Sequence, residues 1–402
     1  MKQRPAYRRL MRFAQLLTIV SLLAVALGQS TPKLSFWFEG ESPASVALFQ
    51  KAADRFVAGY HTPVEIEITV YAFDDMLRTM PLALDGGTGP DAASVPPLTQ
   101  GSDRYAKAGH LLDLTQIAEE RGWLDNYSAD VLAYNNAGTP GSIYGVPYSL
   151  TTVGVYYNGD IFDELGLAVP TTFGEFEQVL ADLKEAGYTP ISVGALDGWP
   201  LDHVWSQIVH TNIPIEYITR LEQLDPEVSY TAPEMIEASY KILEWMRAGY
   251  LDPNMLSTSY GDANSMFISG RVPITITGTW AQADFTEQPE FEARFFPMPR
   301  LNPDLPTWNA GGSAPYNNLV VPSGGDNVEI AVDFVDYLLS EENMRAFWND
   351  GTLVSFQFDE VPPATTVLQG DIYAAMQQTG PGYYHGVISP LVNRGLWSAH
   401  QE

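Results

Sequence analysis

Six histidines (His61, His110, His203, His210, His385 and His400) and 49 Asp and Glu residues are the groups through which this 402-residue chain could do acid–base or metal chemistry. No two histidines stand in a His-x-x-x-His or His-Glu-x-x-His relation, so no zinc site is expected. Cysteine is absent, which removes disulfides, thiolate metal ligands, cysteine nucleophiles and lipid attached through a cysteine. There is no Gly-x-Ser-x-Gly elbow, no phosphate-cradling loop and no Gly-x-Gly-x-x-Gly; Asp252-Pro253-Asn254 lacks the spacing of a calcium loop. No cofactor is implied. Carboxylates are numerous enough that a glycosidase pair, two acids about 5–9.5 Å apart across a cleft, is not removed by counting. Glu39 and Asp197 are the pair to watch.

A more distinctive pattern is aromatic rings beside short polar groups at strand ends and in loops. Trp37-Phe38-Glu39 closes the first strand. Asp197-Gly198-Trp199-Pro200 follows a strand over 191–194, and Trp280 follows one over 272–277. Gly311-Gly312-Ser313 lies in a loop and Gly382-Tyr383-Tyr384-His385 in the tail. A sugar presents flat C–H faces and a rim of hydroxyls, which suits an aromatic platform with carboxylates and amides at the rim. In open α/β sheets such ligands sit off the carboxyl ends of strands. Each ring also has a plainer reading. Trp37 leans toward core packing, because tryptophan is highly buried on average. Trp199, in a Gly/Pro loop, is balanced between core and site. Glu39 and Asp197 read equally well as solvated loop acids.

These groups need a scaffold. Residues 33–38 read as a buried strand. A helix follows over 45–60, with Val46, Phe49, Ala53, Phe56 and Val57 at helical spacing. Then come a strand over 64–70, a helix over 74–84 and a strand over 91–95, the rhythm of an α/β domain with a largely parallel sheet. Residues 153–158 form an almost continuous apolar strand. Thr172 and Glu175 make a capping box for a helix to about 186. Residues 200–270 are mostly helical, with stripes such as Ile236, Tyr240, Leu243 and Met246. Strands are expected over 190–194, 272–277, 295–299 and 318–321, helices over 330–339 and 342–349, and an irregular tail beyond.

A hydrophobic fraction of 45% makes this a folding chain, and its length suggests two domains, or one large one. The net charge of −28 argues against a nucleic-acid surface. Residues 1–28 depart from that acidity: Lys2, Arg4, Arg8, Arg9 and Arg12 precede an apolar run broken only by Gln15, Thr18 and Ser21, ending in Ala26-Leu27-Gly28. This is the shape of a secretory signal peptide cleaved near Gly28. The alternative, a membrane anchor, needs about 20 apolar residues, and this run is short. The mature protein is expected to be exported, soluble and five charges more acidic.

Read in order, the strand at 34–37, Asp74-Asp75-Met76, Gly89-Pro90-Asp91, Gly109-His110-Leu111-Leu112-Asp113-Leu114, Tyr144-Gly145-Val146-Pro147-Tyr148 and Tyr156-Tyr157-Asn158 form a series. It continues with Pro170-Thr171-Thr172-Phe173-Gly174-Glu175-Phe176, Met266-Phe267-Ile268-Ser269-Gly270 and Gly278-Thr279-Trp280. Each piece is weak alone, but the ordered set covers nearly all of the mature chain. It resembles the extracellular solute-binding proteins of ABC importers, in the sugar-binding group typified by maltose-binding protein.

The resemblance implies an α/β, two-lobed periplasmic-binding-protein (Venus flytrap) fold of type II with three hinge crossings, near 149–154, 294–296 and 339–342. Lobe one would be 29–150 with 296–340, and lobe two 151–295 with 341–402. Ligand contacts would come from Trp37, Glu39, Glu41, Thr151, Asp197, Trp199 and Trp280, from the backbone of Gly311, Gly312 and Ser313, and from Tyr383 or Tyr384. The implied function is capture of a neutral sugar, expected to be an oligosaccharide, by hinge closure, and its delivery to ABC permease subunits. The protein would be a periplasmic or secreted monomer without metal or cofactor. A secreted glycosidase and a sensor partner for a membrane receptor are the alternatives.

Two departures from the pattern stand out. Residues 92–97 are apolar where the family often has an aromatic or charged contact. The chain also stops at Glu402, where the family adds an amphipathic helix, so the sequence reads as about one helix short.

Overall fold

The computed structural model describes residues 31–379 apart from 41–42, 98–100, 129–130, 133–137, 223–224 and 306–313. The signal segment, Glu41, Gly311, Gly312, Ser313, Tyr383 and Tyr384 therefore lie outside the described residues.

Two sheets organise the chain. The first has the order β2-β1-β3-β11-β4, from β1 (Lys33–Glu39), β2 (Glu65–Tyr71), β3 (Ala92–Val95), β4 (Val146–Pro147) and β11 (Asn318–Val320). β1 runs parallel to β2 and β3, and β11 is antiparallel to β3 and β4. The second has the order β7-β8-β6-β9, from β6 (Val153–Asn158), β7 (Ile191–Ser192), β8 (Ile274–Gly278) and β9 (Ala293–Phe296). Only β7 and β8 are parallel there; β6 is antiparallel to both of its neighbours. The largely parallel sheet expected from the strand–helix rhythm is thus the β2-β1-β3 half of the first sheet.

Alternation along β1 explains its placement. Leu34, Phe36 and Phe38 are buried on one face, where Phe36 meets Phe49 of the Pro43–Gly59 helix at 5.3 Å and Phe334 of the Val328–Leu339 helix at 5.5 Å. Period-two geometry sends Trp37 to the other face, against Tyr71, Met76 and Met80. The second sheet divides in the same way. Val155 of β6 joins a core with Phe176 and Trp245, while Tyr156 faces Phe285 and Phe295 at 4.9 Å each.

Between the sheets lies a two-residue ribbon, β5 (Leu150–Thr151) paired with β10 (Ala314–Pro315). A third segment joins it: Leu150 N donates to Leu353 O at 2.7 Å, and Ser149 bridges Val354. Residues 294–296 belong to β9, inside the second sheet. Residues 339–342 join two helices tightly, with Ser340 capping Glu341–Asn349. Phe347 of that helix packs on Phe49 and Tyr148, at the first sheet.

Two features of the helices are not evident from the sequence. Ile236, Tyr240, Leu243 and Met246 are the exposed face of the Pro233–Ala248 helix; its buried face is Met235, Ala238, Ile242 and Trp245. The tail also contains an unforeseen helix, Val367–Gln378, strapped to β9 by a two-point pair of Arg294 with Asp371 (2.6 and 3.2 Å). That pairing raises the Arg294 pKa further above its usual value. The Thr172–Glu175 capping box forms as expected.

Candidate ligand-binding cleft

A cavity of about 410 Å³ is lined by the end of β1 in the first sheet, by helical segments that follow β7 and β8 of the second, and by the β5–β10 junction. Its aromatic wall is built at the carboxyl ends of β7 and β8. Gly278 ends β8, and a Cβ there would lie 2.0 Å from the Trp280 ring, so glycine lets the indole fold back across the strand end. Trp280 Nε1 donates to the Tyr260 hydroxyl at 2.8 Å, and that hydroxyl meets Thr277 Oγ1 at 3.3 Å.

The loop after β7 closes on the start of the Tyr260–Ile268 helix. A Cβ at Gly194 would sit 2.5 Å from Tyr260 Cα, and Asp197 Oδ2 accepts the Tyr260 N–H at 2.7 Å. Trp199 follows at once. Its ring is 4.5 Å from Tyr260 and 6.0 Å from Trp280, at 71° to the latter. His203, one turn further along the Trp199–His210 helix, lies 5.3 Å from each indole.

The facing wall comes from the end of β1, with Phe38, Glu39 and Gly40, and from Tyr148. Burial drives the Tyr148 pKa well above that of a free phenol, and the Glu39 carboxylate adds to the rise. Its hydroxyl is therefore protonated at neutral pH. At the junction Thr151 Oγ1 meets Thr279 Oγ1 at 3.1 Å, and Tyr316 stands 6.3 Å from Trp280 at 36°. Gln282 donates to the Gly351 carbonyl at 2.6 Å, tying the Trp280 side of the cavity to the third junction segment.

Of the expected site residues, Glu39, Thr151, Trp199 and Trp280 line this one cavity. Trp37 and Asp197 do not. The pleat turns Trp37 into the packing around Tyr71, 4.9 Å away, and Asp197 is used as a cap on the Tyr260 helix. The apolar stretch after Asp91 lies in the sheet as β3. Tyr260, Tyr316, Asp202, His203 and Asp284 also line the cavity and were missed. The signal for Tyr260 was Ser259-x-x-Asp262, the N-cap pattern of the Tyr260–Ile268 helix; Ser259 accepts the Asp262 N–H at 3.1 Å.

The profile of a family described as bacterial extracellular solute-binding protein matches residues 40–345. The chain belongs to that family. Members of the family are binding proteins. A multiple sugar-binding protein of Streptococcus mutans is 26% identical over 302 residues, 72% of this chain and 68% of its own. A probable sugar-binding periplasmic protein of Mesorhizobium japonicum is 26% identical over 182 residues, 45% of this chain and 42% of its own.

Solved structures share the fold. A chitin oligosaccharide binding protein superposes with a TM-score of 0.80 at 21% identity, covering 93% of this chain and 94% of that one. RafE in complex with raffinose gives 0.73 at 20% identity, covering 92% and 98%. The fold of this family member is therefore the two-lobed, type II periplasmic sugar-binding fold. Among the described residues no helix is long and apolar enough to cross a membrane.

Proposed function

We propose that this protein captures a sugar, an oligosaccharide, between its lobes and hands it to the permease of an ABC importer. The observation that carries this reading is the wall of Trp199, Tyr260 and Trp280 facing carboxylate, hydroxyl and amide groups across the cavity. Flat rings take the C–H face of a pyranose, and the polar rim takes its hydroxyls. The names of the relatives and the sugars in the solved neighbours support the same class.

The lobes are taken to meet at the three paired segments, 149–151, 314–316 and 353–355. On that reading residues 341–352 belong with the first lobe and the Val367–Gln378 helix with the second. The basic, apolar leader supports export to a periplasm or the medium, as a soluble monomer. The protein does no chemistry of its own on this reading. Asp197, one of the two acids to watch for a glycosidase, is absent from the cavity lining and accepts the Tyr260 N–H at the start of a lining helix.

Calorimetry and thermal shift of the purified protein against mono- and oligosaccharides, amino acids and phosphate test this. A saturable heat and a raised melting temperature with at least one sugar are expected. Silence toward every sugar, with a clear response to an amino acid or phosphate, would overturn the reading.

A further inference from the structure

Building on the sugar-binding reading, we infer that the protein takes an oligosaccharide by one chain end. The terminal residue lies at the floor of the cavity, and the rest of the chain leaves across the Tyr260–Ile268 helix. The ligands are then linear glycans whose buried end carries no substituent.

The floor is sealed. Ser149, Thr151, Gln282, Tyr316 and Leu353 line it, and all are buried. Hydrogen bonds stitch together the segments that supply them. Leu150 N donates to Leu353 O at 2.7 Å and Tyr316 N to Ser149 O at 3.1 Å. Gln282 Nε2 donates to the Gly351 carbonyl at 2.6 Å, and the Thr151 and Thr279 hydroxyls meet at 3.1 Å. Beside them the Gln282–Glu287 helix packs against the Pro43–Gly59 helix. A glycan could continue through this region only by breaking such bonds and leaving buried polar groups unpaired. The sugar residue that reaches the floor is therefore the last of its chain.

The rim is different. Among the described lining residues the exposed ones are Gly261, Ser265 and Gln288. Gly261, Asn264, Ser265 and Ile268 fall at i, i+3, i+4 and i+7, one face of the Tyr260–Ile268 helix, and all four line the cavity. A Cβ at Gly261 would meet nothing within 4 Å, so that face begins in open space. The Asn264 side-chain amide is hydrogen-bonded to none of the described residues, which leaves it available to a sugar hydroxyl. A chain that leaves over this face meets small and polar groups and keeps its outer hydroxyls in water. Such rim contacts add little affinity per sugar residue.

The test is calorimetry with the di- to hexasaccharides of the xylo, malto, cello and chito series. Each is used unmodified, with a 4-O-methyl group on the non-reducing end, and as the methyl glycoside at the reducing end. In a series that binds, one of the two methyl groups should weaken binding about a hundredfold, because it presses on the buried floor. The other should leave affinity within about threefold of the parent, because it lies at or beyond the rim. Affinity should level off with chain length, the hexasaccharide still binding. Gly261→Trp, which places a ring in the exit, should lower the ratio of hexasaccharide to disaccharide affinity at least about tenfold. If that variant does not fold, the methyl pairs on the unaltered protein decide. Equal tolerance of both methyl groups means that the chain runs through the cleft, and it overturns this inference. Loss of binding with both, or exclusion of the hexasaccharide, means that the cavity encloses the whole ligand, and it overturns the inference as well. Each of these leaves the sugar-binding reading standing. Failure of every sugar to bind removes both.

Discussion

Tyr260 does more for the cleft than either indole does alone. Its hydroxyl satisfies Trp280 Nε1, its ring lies against Trp199, and its N–H is fixed by Asp197. Tyr260→Phe keeps the ring and strands the indole N–H in a partly buried site, a loss on the order of 1–3 kcal/mol. We expect weaker sugar binding and an altered tryptophan emission spectrum with little change in far-UV circular dichroism. Trp280→Ala is expected to weaken binding by about 1–3 kcal/mol, the contribution of a buried stacking ring. If Trp280→Ala instead melts the protein while affinity survives, Trp280 is core. The tryptophans were legible because each follows a strand end beside a glycine. Tyr260 was not, because a tyrosine in the first turn of a helix carries no mark of which way that helix enters the cleft. Trp37 misled for the opposite reason: it sits next to a site residue in sequence, and the pleat puts its ring into packing against Tyr71.

At the scale of elements, local rules were read well and facing was not. The capping box of the Phe173–Glu185 helix needs only four residues and was found. The Pro233–Ala248 helix has two apolar stripes of the same period, so periodicity alone could not choose the buried one. Partners chose it: Trp245 Nε1 donates to Glu177 Oε1 at 3.1 Å and its ring packs on Phe173 and Phe176. The assignment predicts a sharp asymmetry. Trp245→Ala should cost about 3–5 kcal/mol, whereas Tyr240→Lys, at 59% exposure, should stay within about 0.5 kcal/mol of the parent. Urea titrations of the two variants measure this, and the reverse order would make the Tyr240 stripe the inner face. The Val367–Gln378 helix escaped detection because Gly370 interrupts its pattern and its anchor, Asp371 on Arg294, joins residues far apart in sequence.

For the whole molecule the deciding contacts are few and distant. The β5–β10 ribbon is two residues long and unites positions 150 and 315, and Leu150 reaches Leu353 beside it. No local pattern in the sequence marks such pairs. The same sparseness makes this the natural place for bending, since little packing must be broken there. In the arrangement described, the Gln282–Glu287 helix of the second sheet packs against the Pro43–Gly59 helix of the first, which closes the cleft on one side. A ligand can favour that form only by binding it better than the open one. Because the cavity takes Glu39 from the end of β1 and Trp199 and Trp280 from the segments that follow β7 and β8, a sugar gains its full set of contacts only when both walls are present. Small-angle scattering should therefore show a smaller radius of gyration at saturating sugar than without it. Trp280→Ala at the same sugar concentration should keep the larger value. Dimensions that stay constant while calorimetry records binding would mean that the cleft is already closed in the free protein, and hinge closure would then have no part in capture.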